Sequence, residues 1–422
     1  MKRQTFAAMI LAGLLLWTGA AQAFVIFRGG DGNFVKWDWA AEGGSLPYLI
    51  NPTKDGDTLG GPDPVTVFQD SFSVWLPPEV PTTEASVTCG GTTGIDTYGL
   101  PGDDSNVLLF VKDDPDLASG VLAVTLTMYK TTTGRIMETD IAFNDDFDWR
   151  TDGSADGINT YELGVVAIHE IGHFLGLDHS FEVNVGGSED WTIACTMYPY
   201  YFGPLEESLE DDDIAGITAV FPDEATRAVA FGAITGRVDT WDGQPLFGIH
   251  VAAITAAGKI PTVGTLSAIT GFYQIDNLPP GSYYLYIDSP AIHGTFYPEF
   301  VVPYWSEYQG GGADRINSIM LYRHVPVPSA ANLKDGDPVF DRAQVVSVSA
   351  GATVSDINFV VGSPPEVKEM LAFDFDGSSR NCGELAGPAE EGMATLVPLL
   401  LPAGLGLWSR LRRRRDAKAD RG

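Results

Sequence analysis

The sequence predicts an α+β domain followed by an all-β domain, and the contrast across Pro222 predicts it. Ahead of Pro222, stretches with apolar residues at helical spacing are interleaved with strand-like runs; behind it, short β segments succeed one another between Gly and Pro turns, with almost no helical periodicity. Composition agrees that both parts fold. Of 422 residues 48 are Gly and 27 Pro, 44% are hydrophobic and 19% charged, which is neither collagen-like nor charge-rich disordered material.

Each element has a local reason. Leu46 to Asn51 reads as a short strand. Val65, Phe68, Phe72 and Trp75 fall on one face of a helix over residues 64–75. Strands follow at 106–111, 121–129 and 136–143, the last two divided by the turn-like Thr131-Thr132-Thr133-Gly134. A second helix is expected from Asn159 or Thr160 to Leu175, with Thr160 as N-cap, Glu162 in the first turn and Gly176 as a left-handed C-cap. A third covers 209–219. Beyond Pro222, residues 233–238, 249–254, 272–275 and 282–287 have strand character. Asp242-Gly243, Thr270-Gly271 and Pro279-Pro280-Gly281 supply turns between them. A last strand is expected at 357–361, and Ser363-Pro364-Pro365 opens a polar linker. The chain therefore divides into residues 24–222, 223–362 and a linker of 363–392.

The two ends read as addresses. Residues 1–23 carry Lys2 and Arg3, an apolar run over 6–17 and the small-x-small site Ala21-Gln22-Ala23, the pattern of a secretory signal, so export is expected. Residues 393–408 contain no charge and are followed by Arg410, Arg412, Arg413, Arg414 and Arg415. Such a segment reads as a membrane-directed anchor or sorting signal, marginal in length for a permanent span, with its basic flank held on the cytoplasmic side. It resembles the C-terminal sorting tails of exported proteins of Gram-negative bacteria, which implies an extracellular or cell-surface location. With 25 basic against 56 acidic residues the formal charge is −31, which excludes non-specific nucleic-acid binding. Of three cysteines, Cys89 and Cys195 lie in the folded part and are the candidates for a disulfide; Cys382 stands in the polar stretch before the tail.

Chemistry concentrates in His169-Glu170-Ile171-Gly172-His173-Phe174-Leu175-Gly176-Leu177-Asp178-His179. Residues four apart share a helix face, so His169 and His173 can present imidazole nitrogens to one metal ion, with Glu170 beside them. The helix must stop before His179 for that residue to be a third ligand, and Gly176 permits the turn at little cost. Three neutral nitrogens around zinc leave a fourth position for water, the mark of a catalytic site. Hydrolysis of a carbonyl by metal-activated water follows, with Glu170 as general base and then acid and no covalent acyl-enzyme. His250, His293 and His324 fall outside this segment at no ligand-like spacing.

This spacing, H-E-x-x-H-x-x-G-x-x-H, resembles the zinc signature of the metzincin proteases. Ala194-Cys195-Thr196-Met197-Tyr198-Pro199-Tyr200 resembles their Met-turn, with Met197 as the apolar floor of the metal site. Ser180 after the third histidine and Leu209-Glu210-Asp211-Asp212-Asp213-Ile214-Ala215-Gly216-Ile217 are similar to the matrixin branch. Asp140-Ile141-Ala142-Phe143-Asn144 is similar to the strand that lines the cleft in bacterial matrixin-like enzymes. The resemblance covers roughly residues 46–221. It implies a twisted mixed sheet with an active-site helix, catalytic Zn2+ and protein or peptide substrates. Tyr198, Tyr200 and Tyr201 are candidates for packing, for lining the substrate pocket or for contact with the oxyanion.

Departures from the animal matrixins are also legible. No Pro-Arg-Cys-Gly segment occurs, and only 22 residues separate Ala23 from Leu46, too few for a pro-domain of the usual size. The structural zinc of those enzymes lacks its three further histidines here. Ca2+ is the candidate second cofactor, with Asp103, Asp104, Asp113, Asp114, Asp116, Asp145, Asp146, Asp148, Asp152 and Asp156 as oxygen donors beside the reading of ordinary solvated loops.

In the second domain, Thr235-Gly236-Arg237-Val238, Thr270-Gly271-Phe272-Tyr273 and Leu278-Pro279-Pro280-Gly281-Ser282-Tyr283 resemble the prealbumin-like, carboxypeptidase regulatory-like β-sandwich, which implies a spacer or binding role. Tyr284, Tyr286, Tyr297 and Trp305 are candidates for its contact face, with core packing as the default. The functional expectation is a secreted or surface-anchored zinc endopeptidase. Its rival is a surface binding protein with an inactive protease domain, against which the intact Glu170 speaks.

Overall fold

A computed structural model describes residues 26–27, 34–39, 41–55, 60–99, 102–115, 117, 120–180, 195–201, 203, 208–258, 261–288, 316, 319–323, 325–327, 338–362 and 393–400. In the first part the elements are β1 (Leu46–Asn51), α1 (Pro64–Val74), β2 (Val87–Thr92), β3 (Val107–Val111), β4 (Val121–Tyr129), β5 (Ile136–Asn144), β6 (Asp148–Arg150), β7 (Thr160–Glu162), α2 (Leu163–Leu175) and α3 (Asp211–Val220). The second part comprises α4 (Glu224–Ala230), β8 (Gly232–Thr240), β9 (His250–Thr255), β10 (Pro261–Leu266), β11 (Phe272–Leu278), β12 (Gly281–Asp288), β13 (Ile319–Leu321), β14 (Val325–Val327), β15 (Val346–Val348), β16 (Thr353–Val354) and β17 (Phe359–Val361). A last strand, β18 (Met393–Leu400), returns to the first part.

The first sheet has the order β18-β4-β5-β3-β1-β2 and is mixed: β1, β2, β3 and β5 run parallel, and β4 is antiparallel to both β5 and β18. Asp63 caps α1 by accepting the N–H of Thr66, and Pro64 occupies a first-turn position where no intrahelical N–H is needed. The apolar face of α1 then packs by rings, Phe72 on Tyr48 at 4.0 Å and Phe68 on Phe143 at 4.8 Å. Helix α2 is buried along all thirteen residues, because α1, β4 and β5 cover it on one side and the turn carrying Met197 on another. Two buried tryptophans fasten it: Trp75 Nε1 donates to Ile168 O and Trp37 Nε1 to Phe174 O, each at 2.8 Å.

Behind α4 the chain forms two sheets. One has the order β10-β9-β12-β13-β14 with β15 also on β12; the other is β11-β8-β16 with β17 also on β8. Their core includes Ile234, Val251, Leu285, Ile287, Tyr273 and Phe359, and Tyr273 Oη donates to Ile357 O at 2.5 Å. Tyr286 belongs to this core and Tyr284 rests on Phe340 at 4.8 Å, so neither forms an exposed contact face; Tyr297 and Trp305 lie outside the described residues.

Several expectations change. The active-site helix begins at Leu163, not at Asn159 or Thr160. Asp156 draws the N–H groups of Ile158, Asn159 and Thr160 onto its carboxylate, and residues 160–162 pair in parallel with β6 as β7. Glu162 stands at the N-cap without a capping bond from its side chain. The short helix α4 was not expected; Asp223 caps it through Ala225 and Thr226. Cys89 and Cys195 do not form a disulfide: both are thiols. Cys89 sits on the edge strand β2 opposite Tyr48, whereas Cys195 enters the turn against α2, which covers β4 and β5. Residues 393–400 of the expected tail signal form β18 on β4, from Met393 opposite Tyr129 to Leu399 opposite Ala123, with a bulge before Leu400 opposite Val121. The signal-like segment 1–23, the linker 363–392 with Cys382, and 401–422 lie outside the described residues, as do His293 and His324.

Candidate metal centre

Gly176 ends α2 with φ 108°, in the left-handed region, and its N–H and that of Leu177 return to His173 O and Gly172 O. The reversal carries His179 back over the helix. His169, His173 and His179 are all buried, and one ligand nitrogen from each lies within 4.8 Å of the others.

Two backbone carbonyls set the tautomers. His169 Nδ1 lies 2.6 Å from Thr196 O and His173 Nδ1 2.8 Å from Leu177 O. A carbonyl only accepts, so both Nδ1 atoms carry the proton and both Nε2 atoms present lone pairs. Those Nε2 atoms are 3.1 Å apart. Two lone pairs facing each other at that distance repel unless a cation lies between them, so this donor set fits a divalent metal. Burial pushes the His169 imidazole down to about 4, and burial followed by the neighbouring imidazoles holds His173 and His179 well below the usual histidine range. All three are neutral ligands at pH 7.

Glu170 is fully buried on the same helix, and Thr125 Oγ1 on β4 donates to its Oε2 at 2.5 Å and lies 3.1 Å from its backbone carbonyl. Met197 is buried against Gly172; an added Cβ there would overlap Met197 Sδ and lie 2.8 Å from Trp75 Cζ2, which explains why α2 carries glycine at mid-helix. The Met197 turn is tied to α3, since Asp213 accepts the N–H groups of Thr196 at 2.8 Å and Met197 at 3.0 Å. Ser180, after the third histidine, donates its N–H to Met197 O and its hydroxyl to Asp212. Phe27 stacks near His173 at 5.8 Å and its N–H bonds Gly176 O, closing the helix end.

The structure thus brings together the expected His169, His173, His179, Glu170 and Met197. It adds Thr125 and Phe27, which the sequence did not single out, and gives contacts to Asp212 and Asp213 of the matrixin-like segment 209–217. Glu210-x-x-Asp213 also carried a local signal, a capping box in which each side chain receives the other's backbone N–H. Tyr201 is committed to structure: its phenol oxygen accepts the N–H of Glu162, and its ring meets Tyr161 edge-on at 5.4 Å. Tyr198 and Tyr200 are buried against each other at 5.8 Å.

Among the described residues, the aspartates named for calcium do not converge on a point as the histidines do. Asp152 is held by Arg150 and Ser154, Asp156 by its own loop, and Asp145 by Lys54 and the N–H of Asp55.

Residues 112–222 match the matrixin family (Peptidase_M10). The chain is 33% identical over 99 residues to the interstitial collagenase of Oryctolagus cuniculus, covering 24% of this chain and 18% of that protein. It is 39% identical over 84 residues to the hatching enzyme of Paracentrotus lividus, 19% of this chain and 12% of the relative. It is 38% identical over 88 residues to stromelysin-1 of Equus caballus, 20% and 15% respectively. The chain therefore spans less than a fifth of the length of these relatives, and the likeness to the matrixin family is confined to residues 112–222.

Proposed function

We propose that the chain is a zinc-dependent endopeptidase that hydrolyses peptide bonds of protein or peptide substrates, exported and retained at the cell surface. The observation that carries the catalytic part is the buried trio whose two Nε2 atoms, 3.1 Å apart, both offer lone pairs beside a fully buried carboxylate. His169, His173 and His179 would hold the ion. When bound, zinc would supply Lewis-acid polarisation of the scissile carbonyl and acidify water in the site.

The remaining work belongs to the chain. Glu170, next to His169 on the helix, takes a proton from water and passes it to the leaving amine. Thr125 holds that carboxylate in one orientation through Oε2, leaving Oε1 for the proton. Burial of every member keeps the site's dielectric low, so the carboxylate and the imidazoles act at close to full strength.

Export is supported by the charge, apolar and small-residue order of residues 1–23, and surface retention by the uncharged residues 401–408 and the arginines of 410–415 that follow strand β18. A prealbumin-like sandwich is supported for residues 223–362 by the two sheets described there. A structural calcium rests on the acidic loops alone.

The test is digestion of casein or gelatin by the wild-type chain, by Glu170→Ala and by chelator-treated protein. Loss of about two to four orders of magnitude is expected for the substitution with zinc content retained. Undiminished cleavage by Glu170→Ala would refute the assignment.

A further inference from the structure

The second domain reaches the metal centre through one carboxylate. Asp212 is 2% exposed, near the start of α3. Its Oδ2 accepts the Ser180 hydroxyl at 2.5 Å, and its Oδ1 accepts the backbone N–H of Gly264 at 3.1 Å. Ser180 follows the third histidine directly, and its N–H bonds Met197 O at 2.9 Å. Gly264 belongs to β10, an edge strand of the second domain's larger sheet, so an N–H facing away from β9 would otherwise lack a ladder partner.

A second grip lies beside the first. Asn277, at the end of β11, donates its amide to Ala215 O of α3 at 2.9 Å and accepts from Arg227 Nε of α4 at 2.7 Å. The strands β10 and β11 therefore clasp the helix whose next residue, Asp213, carries the Met197 turn.

We infer that the second domain is part of the support of the catalytic centre, and that Gly264, Asp212 and Ser180 form a relay of positioning residues that fixes the third histidine. The inference rests on the zinc reading of the trio. His179 needs such support more than its partners do. His169 and His173 are placed by a regular helix and two carbonyls, whereas His179 sits beyond the helix end on an irregular segment. Asp212 is a buried carboxylate that accepts a bond from each domain, so removing either donor weakens the link between them and lets the segment shift.

The experiment uses the full chain loaded with zinc. Its readouts are the rate of metal loss to a chelator and the visible spectrum of the cobalt(II)-substituted protein, with kcat and KM measured alongside. Ser180→Ala removes the hydroxyl on the catalytic side. Gly264→Pro removes the N–H on the other, at an edge position where proline is tolerated. Each is expected to accelerate metal loss about tenfold, alter the cobalt spectrum and lower kcat with KM nearly constant. Because the two act in series, the double variant is expected to be no faster than the faster single one. If Gly264→Pro fails to fold, Asp212→Asn, which keeps one acceptor oxygen and loses the other, reads the same link. Unchanged metal loss and spectrum in the folded variants, or rates that multiply in the double variant, would overturn the relay. A wild-type chain that takes up no stoichiometric zinc would instead strike the zinc reading itself.

Discussion

Replacing Gly172 by alanine sets two opposed effects against each other in one residue. Alanine in a helix interior is favoured over glycine by about 1 kcal/mol. Against that, the new Cβ would overlap Met197 Sδ, sit 3.1 Å from Met197 Cε and 2.8 Å from Trp75 Cζ2, where carbon pairs rest at about 3.5–4.0 Å. Trp75 cannot withdraw, being fully buried and bonded through Nε1 to Ile168 O. Met197 must give way, and its backbone is pinned by Asp213. Overpacking of this kind costs about 1–3 kcal/mol, so the net loss is about 0–2 kcal/mol, or a fall of up to roughly 8 °C in Tm. Activity should suffer more, because the turn of Met197 also carries Thr196 O, which lies 2.6 Å from His169 Nδ1, and a shift of about 1 Å at a reacting centre can cost about a hundredfold. Thermal unfolding and kcat/KM on a fluorogenic peptide measure both. An alanine variant of raised Tm and undiminished kcat/KM would show that the helix and turn have room to spare, and the steric reasoning would be wrong.

Two further outcomes follow from the site and its sheet. Thr125→Val keeps the shape of the side chain and removes the hydroxyl that holds Glu170. Bonds to charged groups contribute about 1.5–3 kcal/mol, so kcat/KM should fall about tenfold to a hundredfold with zinc content unchanged, and an unaltered kcat/KM would exclude an orienting role. Glu138 on β5 is pushed up to about 7 by burial and then by the charge of Asp140, against the bond from the Asp104 N–H. The folded chain therefore binds more protons than the unfolded one between about pH 4.5 and 7, and this group's contribution to stability falls as pH rises through that window. Glu138→Gln should accordingly gain stability over wild type at pH 8, on the order of 1–3 kcal/mol in chemical denaturation, with the gain vanishing below about pH 4.5; equal midpoints at pH 8 would contradict it.

Much of the fold was legible because its determinants are local. Val65, Phe68, Phe72 and Trp75 mark a helix by their own spacing, and the helix forms over Pro64–Val74. The strands over Val121–Tyr129 and Ile136–Asn144 follow from apolar and β-branched runs about a turn. The start of α2 was misplaced for a reason the sequence does contain but does not rank: Asp156 offers the backbone of Thr160 a bond that competes with helix, and pairing with β6 decides the contest. Likewise the short α4, capped by Asp223, leaves no periodicity in the sequence, because seven residues are too few to show one.

By itself the sequence determined the chemistry: three histidines and a glutamate at intervals that a helix and a glycine turn convert into one metal-binding face. An interval of four residues acts through geometry that every helix shares. Only tertiary structure decided what surrounds that face. Thr125 meets Glu170 across 45 positions, and Gly264 meets Asp212 across 52. Cys89 and Cys195 remain apart despite being the folded part's two thiols, and residues 393–400 lie on β4 as a strand. Contacts between residues so distant in the chain depend on how sheets and helices pack, and no spacing within the sequence records that.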